Sequence, residues 1–257
     1  MLLKGLKALS NFLEFIRFRI CIFVTSIGMA GYLLFNPISV NLIFVLLATF
    51  LITAGAYAYN NMTDMEEDLV NRKRINPFIL SKKSLFLISG LFISGTIFSF
   101  FLSLYSLSFC LLGVLISIAY SFFKLKKYFL VKNFYTAFGA SLVFLVGAGN
   151  ISLPIISYYF LFTLFVFIGS SISDLRDYAG DKINNIRTLP VVLGYHLAKK
   201  IDFILLGLFS LTILFSDLVV LLPFSLMMIY FLYKNKLTLA HSCEGFSFIF
   251  LVIWSVL

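Results

Sequence analysis

Residues 60–68 contain a dense group of carboxylates, and a long run without charged residues precedes them. If the helix formed by that run continues through this stretch, Asn60, Asp64 and Asp68 recur at every fourth position and form one stripe, with about 6 Å between neighbours. Acids held on one helical face repel each other, and a divalent cation would turn that repulsion into binding. The spacing of this first acid motif (Asn60, Asp64 and Asp68) therefore favours a metal site.

A second acid motif, formed by Asp174, Asp177 and Asp181, also lies just past a long apolar run. Its spacings of three and four place the three carboxylates on one helical face. Magnesium usually keeps waters and substrate phosphates among its oxygen ligands, so two facing acid stripes suit Mg2+ that bridges to a diphosphate. Solvated loop charges are the alternative. Seven of the eleven acidic residues lie in residues 60–68 and 174–181, and that concentration favours the metal site.

The composition is that of a polytopic membrane protein. Of the 257 residues, 61% are hydrophobic and 12% are charged, whereas soluble domains carry about 25% charged residues. We predict an all-α bundle of nine transmembrane helices that forms one domain over residues 1–257, preceded by an interfacial helix in residues 1–12. The predicted spans are 12–34, 39–58, 84–104, 107–123, 134–150, 155–173, 201–215, 218–233 and 244–257.

The basic residues predict the orientation of this bundle. All 20 lysines and arginines lie either in the N-terminal segment up to the start of the first apolar run or in alternate connections between the spans, and the other connections contain none. The positive-inside rule then places the N-terminus and both acid motifs on the cytoplasmic side of the cell membrane. The net charge of +9 is explained by this topology and by attraction to anionic lipids or substrates, and we expect no nucleic-acid partner.

An internal repeat is also predicted. The two acid motifs follow spans two and six, and Tyr120 with Lys124 at the end of span four is echoed by Tyr230 with Lys234 at the end of span eight. Two four-helix half-repeats plus one extra helix, arranged around a central cavity, would produce this pattern.

These motifs resemble those of the UbiA-type intramembrane prenyltransferases over essentially the whole chain. That family has an Asn-x-x-x-Asp-x-x-x-Asp motif, which the first acid motif matches, and an Asp-x-x-x-Asp motif, which Asp177 and Asp181 match. The sequence departs from the family at residues 72–77, where an Arg-Pro pair is common, and at Asn185, where glycine is common. Further matches are Tyr120 with Lys124, Asn133, Arg17 and residues 188–191.

The resemblance implies a catalytic site in which Mg2+ is the cofactor. Metal ligands would be Asn60, Asp64, Asp68, Asp174, Asp177 and Asp181, and the catalytic groups would be Asp64, Asp68, Asp177, Asp181, Lys124 and Tyr120. Residues expected to contact the diphosphate or the rest of the substrate are Arg17, Arg72, Lys73, Arg74 and Asn133.

The activity implied by the resemblance is transfer of a prenyl group from a prenyl diphosphate, such as geranylgeranyl diphosphate. The acceptor is left open between a prenylated glycerol phosphate and an aromatic quinone precursor. A terpene cyclase of the same fold is the alternative enzyme. A transporter is disfavoured, because coupling sites lie near helix midpoints and the acid motifs lie at helix ends.

Overall fold

The chain folds into twelve α-helices in the part that the structure describes. The structure is a computed structural model that describes residues 2–70, 74–81 and 83–257, including side chains except those of residues 2–4, 67, 68 and 70. Short 3₁₀ turns lie at Leu125–Lys127 and Val219–Leu221. The helices are α1 (Leu2–Phe15), α2 (Phe18–Phe35), α3 (Asn41–Thr63), α4 (Met65–Val70), α5 (Ser84–Phe100), α6 (Leu104–Phe122), α7 (Val131–Ala148), α8 (Leu153–Ile183), α9 (Leu189–Leu193), α10 (Tyr195–Leu214), α11 (Leu222–Tyr233) and α12 (Leu237–Val256).

Each of the nine predicted apolar runs overlaps one of these helices. Six described helices (α2, α3, α6, α7, α8 and α12) are long and apolar enough to cross a membrane, as judged by length and composition. Helix α5 and the segment Val219–Tyr233 are apolar but shorter, and α10 carries Lys199, Lys200 and Asp202 near its start. The all-helical membrane architecture is confirmed, while the number of nine spans and the half-repeats stay predictions.

Several helix boundaries differ from the predicted spans, and two of these differences, at the first and last spans, concern residues discussed below. The first predicted span begins at residue 12, but α1 runs to Phe15 and α2 begins only at Phe18, because Arg17 adopts a left-handed conformation (φ 51°) between them. The last predicted span begins at residue 244, whereas α12 begins at Leu237. This earlier start places His241 and Glu244 together on one helix.

The tightest helix contact in the bundle joins α2 to α7 through glycines. A Cβ atom built on Gly147 would lie 1.9 Å from the carbonyl oxygen of Gly28, and one on Gly31 would lie 2.2 Å from the carbonyl oxygen of Phe144. The two backbones therefore touch directly, as small residues allow in membrane helices. The contact lies near the C-terminal end of α7, whereas the start of the helix, at Lys132 and Asn133, contacts the second acid motif.

We expect Gly147→Ala to lower the unfolding free energy by about 1–3 kcal/mol, because the added methyl group must push two backbones apart. Gly113→Ala on α6 is the matched control, since its Cβ would meet no atom within 4 Å. It should be neutral, or stabilising by up to about 1 kcal/mol through helix propensity. Thermal unfolding of both purified variants in detergent measures the difference, and equal midpoints would contradict the close packing.

Candidate active site

The first acid motif lies where α3 gives way to α4. Helix α3 ends at Thr63, and Asp64 keeps helical dihedral angles before α4 begins. The Asn60 side-chain amide donates to Asp64 Oδ2 at 3.0 Å, so these two residues share one face, as the spacing predicts. Lys126 Nζ lies 2.6 Å from Asp64 Oδ1, in a pair that is largely shielded from solvent. The side chain of Asp68 lies outside the described residues.

The second acid motif lies near the C-terminal end of α8. Asp174 is 1% exposed and receives Lys132 Nζ at 2.6 Å and the Asn133 amide at 2.8 Å. Asp181 Oδ2 lies 4.0 Å from Lys132 Nζ and has no hydrogen-bond donor among the described residues. Asp177 is more exposed and is bound by the Arg176 guanidinium through two hydrogen bonds of 2.9 and 2.8 Å.

The segment between α6 and α7, residues 123–130, joins the two motifs. Lys126 within it binds Asp64 of the first motif, and Lys132, in the first turn of α7, binds Asp174 of the second. Tyr120, near the end of α6, lies within electrostatic range of both Asp64 and Asp174. The two motifs therefore face the same short stretch of chain at one end of the bundle.

The predicted substrate-binding arginines have other described partners. Arg17 donates to Asn61 Oδ1 at 2.8 and 3.1 Å, and its guanidinium lies 5.5 Å from the centre of the Tyr57 ring. Arg74 is exposed and reaches Asn11 Oδ1 at 3.5 Å. The left-handed Arg17 thus ties α2 to α3 just before the first acid motif. Arg72 and Lys73 lie outside the described residues.

Three further predicted residues lie at the same end of the bundle. Lys124 is 3.7 Å from Glu66, in an exposed pair of a kind that contributes little to stability. The amide of Asn133 is fully buried and donates to Ser170 as well as to Asp174, so it orients the second motif. Tyr120 is half-buried, with its ring 6.0 Å from that of Tyr135.

Sequence reasoning missed the cations that hold the two motifs. Lys126, Lys132 and Arg176 bind the predicted acids directly, but the positive-inside rule already accounted for their charges. Asn185, which stands where the family commonly has glycine, has a φ of 54°, so the left-handed turn after α8 is retained.

The donor set fits a hard divalent cation that is bound jointly with a substrate. Its described members are oxygen donors, the ligand type that Mg2+ takes, and Asp181 Oδ2 still lacks a hydrogen-bond donor there. No three His, Cys, Asp or Glu side chains converge on a common point in the described ranges, which omit the Asp68 carboxylate. Mg2+ is rarely caged by protein groups alone and commonly takes phosphate oxygens as ligands.

Comparison with known sequences places these motifs in a family context. A sequence model described as the UbiA prenyltransferase family matches residues 20–243. The digeranylgeranylglyceryl phosphate synthase of Saccharolobus solfataricus is 29% identical over 249 residues, covering 86% of each chain. The enzyme of that name from Sulfolobus acidocaldarius is 33% identical over 181 residues. That match covers 65% of this chain and 62% of the relative, which is less than two thirds of its length.

Solved structures share the same architecture. A UbiA homologue from Archaeoglobus fulgidus bound to DMAPP and Mg2+ superposes with a TM-score of 0.73 at 14% identity, covering 96% of this chain and 98% of that chain. The apo structure of a UbiA homologue from Aeropyrum pernix K1 gives a TM-score of 0.76 at 15% identity, covering 92% and 96%. At these identities the likeness establishes the fold.

Proposed function

The chain belongs to the UbiA prenyltransferase family, and we propose that it transfers a geranylgeranyl group from its diphosphate to the free hydroxyl of a glyceryl phosphate that already carries one. The relatives' name supports this acceptor, because making a digeranylgeranyl product requires adding a second group to a singly substituted glyceryl phosphate. An aromatic quinone precursor has no such support.

The observation that carries the proposal is the placement of both acid motifs around one short segment. Lys126 at the first motif and Lys132 at the second bring two sets of carboxylates to the same end of the bundle. Tyr120 lies within electrostatic range of both sets. This arrangement suits a substrate whose diphosphate is gripped from two sides and whose apolar tail extends between the helices.

Residues of both motifs would hold magnesium. From the first motif these are Asn60 on α3, Asp64 directly after α3 and, by prediction, Asp68; from the second they are Asp174, Asp177 and Asp181 on α8. When bound, Mg2+ supplies positive charge that offsets the negative charge building on the departing diphosphate. The oxygen-only donor set and the family relationship support this assignment.

The chain's own cations would add to that stabilisation. The ammonium groups of Lys126 and Lys132 lie at the motifs and can donate to diphosphate oxygens, which stabilises developing charge at fixed positions. Arg176 lies at the same end and is bound by Asp177. The half-buried Tyr120 can donate a hydrogen bond to the diphosphate or shield the reacting end of the prenyl group.

The test is a transfer assay with a panel of acceptors. Purified protein in lipid nanodiscs would receive labelled geranylgeranyl diphosphate, Mg2+ and either geranylgeranylglyceryl phosphate or 4-hydroxybenzoate. We expect a labelled ether lipid with the first acceptor and no product with the second. Prenylation of the aromatic acid would contradict the proposed acceptor. A cyclic hydrocarbon formed without any acceptor would identify a terpene cyclase instead.

A further inference from the structure

Helix α12 carries an acid and a histidine one turn apart inside an otherwise apolar segment. His241 Nδ1 lies 3.2 Å from Glu244 Oε2, and the Glu244 side chain is 9% exposed. His241 is the only side chain in the described part of the chain that contacts this carboxylate in an ion pair or hydrogen bond. An acid this deeply buried is costly unless it has a partner or a task.

The position of the Glu244 carboxylate is fixed by a glycine on the neighbouring helix. A Cβ atom built on Gly169 of α8 would lie 1.7 Å from Glu244 Oε2 and 2.2 Å from its carboxyl carbon. Only a residue without a side chain allows the carboxylate to rest there. On α8, Arg176 and Asp177 lie seven and eight residues further on, so they emerge close to the same helical face.

The pair lies near the end of α8 that carries the second acid motif. His241 lies within electrostatic range of Arg176 and Asp177, which belong to the end of α8 that carries the second acid motif. Glu244 lies within electrostatic range of Tyr57, on the helix that carries the first motif. The Nδ1 atom of His241 is buried, while 42% of the side chain stays accessible, so the accessible edge is the one that carries Nε2.

A histidine oriented by a carboxylate is the arrangement used for general-base catalysis. Glu244 Oε2, which lies 3.2 Å from the buried Nδ1 of His241, is the group that can orient the ring in this way, although the two atoms do not form an aligned hydrogen bond. We propose that His241 is the general base that removes the proton from the acceptor hydroxyl, and that Glu244 is its positioning residue. The inference rests on the proposed transfer to a hydroxyl. Three of the motif carboxylates suit this task poorly, because Lys126, Lys132 and Arg176 already bind Asp64, Asp174 and Asp177.

The step balances without a further reactant. The hydroxyl oxygen of the acceptor forms a bond to C1 of the prenyl group, and the bond from C1 to the diphosphate oxygen breaks. The diphosphate leaves with that electron pair. The hydroxyl proton passes to Nε2 of His241, and the adjacent carboxylate of Glu244 stabilises the imidazolium ion that forms.

The first experiment compares His241→Ala and His241→Gln with His196→Ala, which removes the other histidine. For the His241 variants we expect kcat for ether formation to fall by about 10²–10⁴-fold, while KM for geranylgeranyl diphosphate changes little. Added imidazole should restore part of the rate of His241→Ala and leave the wild type unaffected. A merely structural role would give no such rescue.

The second experiment tests how Glu244 is positioned. Gly169→Ala should lower kcat because its methyl group displaces the carboxylate, whereas Gly207→Ala on α10, whose Cβ would meet no atom within 4 Å, should not. In a Glu244→Ala background, adding Gly169→Ala should lower kcat little further, because the carboxylate that the new methyl group would displace is absent.

The outcomes separate this inference from the proposed function. If the wild type forms no ether product with geranylgeranylglyceryl phosphate, the proposed function fails, and the base fails with it. If the wild type is active and thermal unfolding shows that His241→Ala is folded, the rate of ether formation by His241→Ala decides the question. An undiminished rate, or a lost rate that imidazole does not restore in His241→Ala, overturns the general base alone, whereas a reduced rate with rescue supports it.

Discussion

Replacing Asp64 by asparagine is expected to lower the rate of prenyl transfer by about 10³-fold or more. The substitution keeps the size of the side chain but removes one negative charge from the proposed cation site. Metal ions supply several kcal/mol of charge stabilisation, and each 1.36 kcal/mol is worth about a factor of ten in rate. Transfer assays at increasing magnesium concentration would measure both the rate loss and the shift in metal requirement.

The chain offers a matched control within the same segment. Glu66 lies two residues from Asp64, but its side chain is 82% exposed, so Glu66→Gln should leave the rate near that of the wild type. Asp177→Asn, which removes a charge from the second motif, should lower the rate of prenyl transfer to a similar extent. Equal activity of Asp64→Asn and Glu66→Gln would show that the first motif holds no catalytic cation, whatever its spacing suggests.

Much of the fold follows from local features of the sequence. Each long apolar run is helical, because a chain in a membrane must satisfy its backbone hydrogen bonds within the segment. The stripe formed by Asn60 and Asp64 is a consequence of helical periodicity and is present as a hydrogen bond between them. The left-handed turn at Asn185 follows from the tolerance of asparagine for that conformation.

The partners of the acids could not be predicted in the same way. Lys126 and Asp64 are 62 residues apart, and Lys132 and Asp174 are 42 apart, so each pairing depends on how the helices pack. Membrane topology is already a sufficient explanation for the basic residues in these connections. Their contacts with the acid motifs are therefore not evident from the sequence. Lys124, the family-like lysine, reaches only the exposed Glu66 among the described acids.

The pair on α12 was missed for a local reason. The apolar pattern predicts that the last span begins at residue 244, which leaves His241 in the preceding connection as an isolated histidine. Helix α12 in fact begins at Leu237. Its polar first turns are accommodated because Glu244 packs against Gly169. An acid and a histidine at helical spacing beside an apolar run are the signal that could have revealed it.

Lys132→Met is expected to destabilise the protein by about 3–5 kcal/mol when no divalent cation is present, because it leaves the buried Asp174 carboxylate without its cation. Asp174 is 1% exposed, and its described partners are Lys132 Nζ and the neutral amide of Asn133. Methionine keeps the apolar stem of the lysine and removes only the ammonium group. Thermal unfolding with EDTA would measure the loss, and Lys199→Met, which breaks a contact to the neutral Asn235, should change little.

Magnesium should then distinguish a structural ion pair from a cation site. If Asp174 is a metal ligand, Mg2+ can replace the missing ammonium, so the unfolding midpoint of Lys132→Met should rise with Mg2+ far more than that of the wild type. The double variant Lys132→Met with Asp174→Asn should recover much of the stability and lose most of this response, because the buried charge at position 174 is then removed together with its cation. A midpoint of Lys132→Met that ignores Mg2+ would remove Asp174 from the metal site. A midpoint that rises with Mg2+ would instead show that, in the wild type, Lys132 is a resident cation that stabilises the second motif until the diphosphate arrives with its metal.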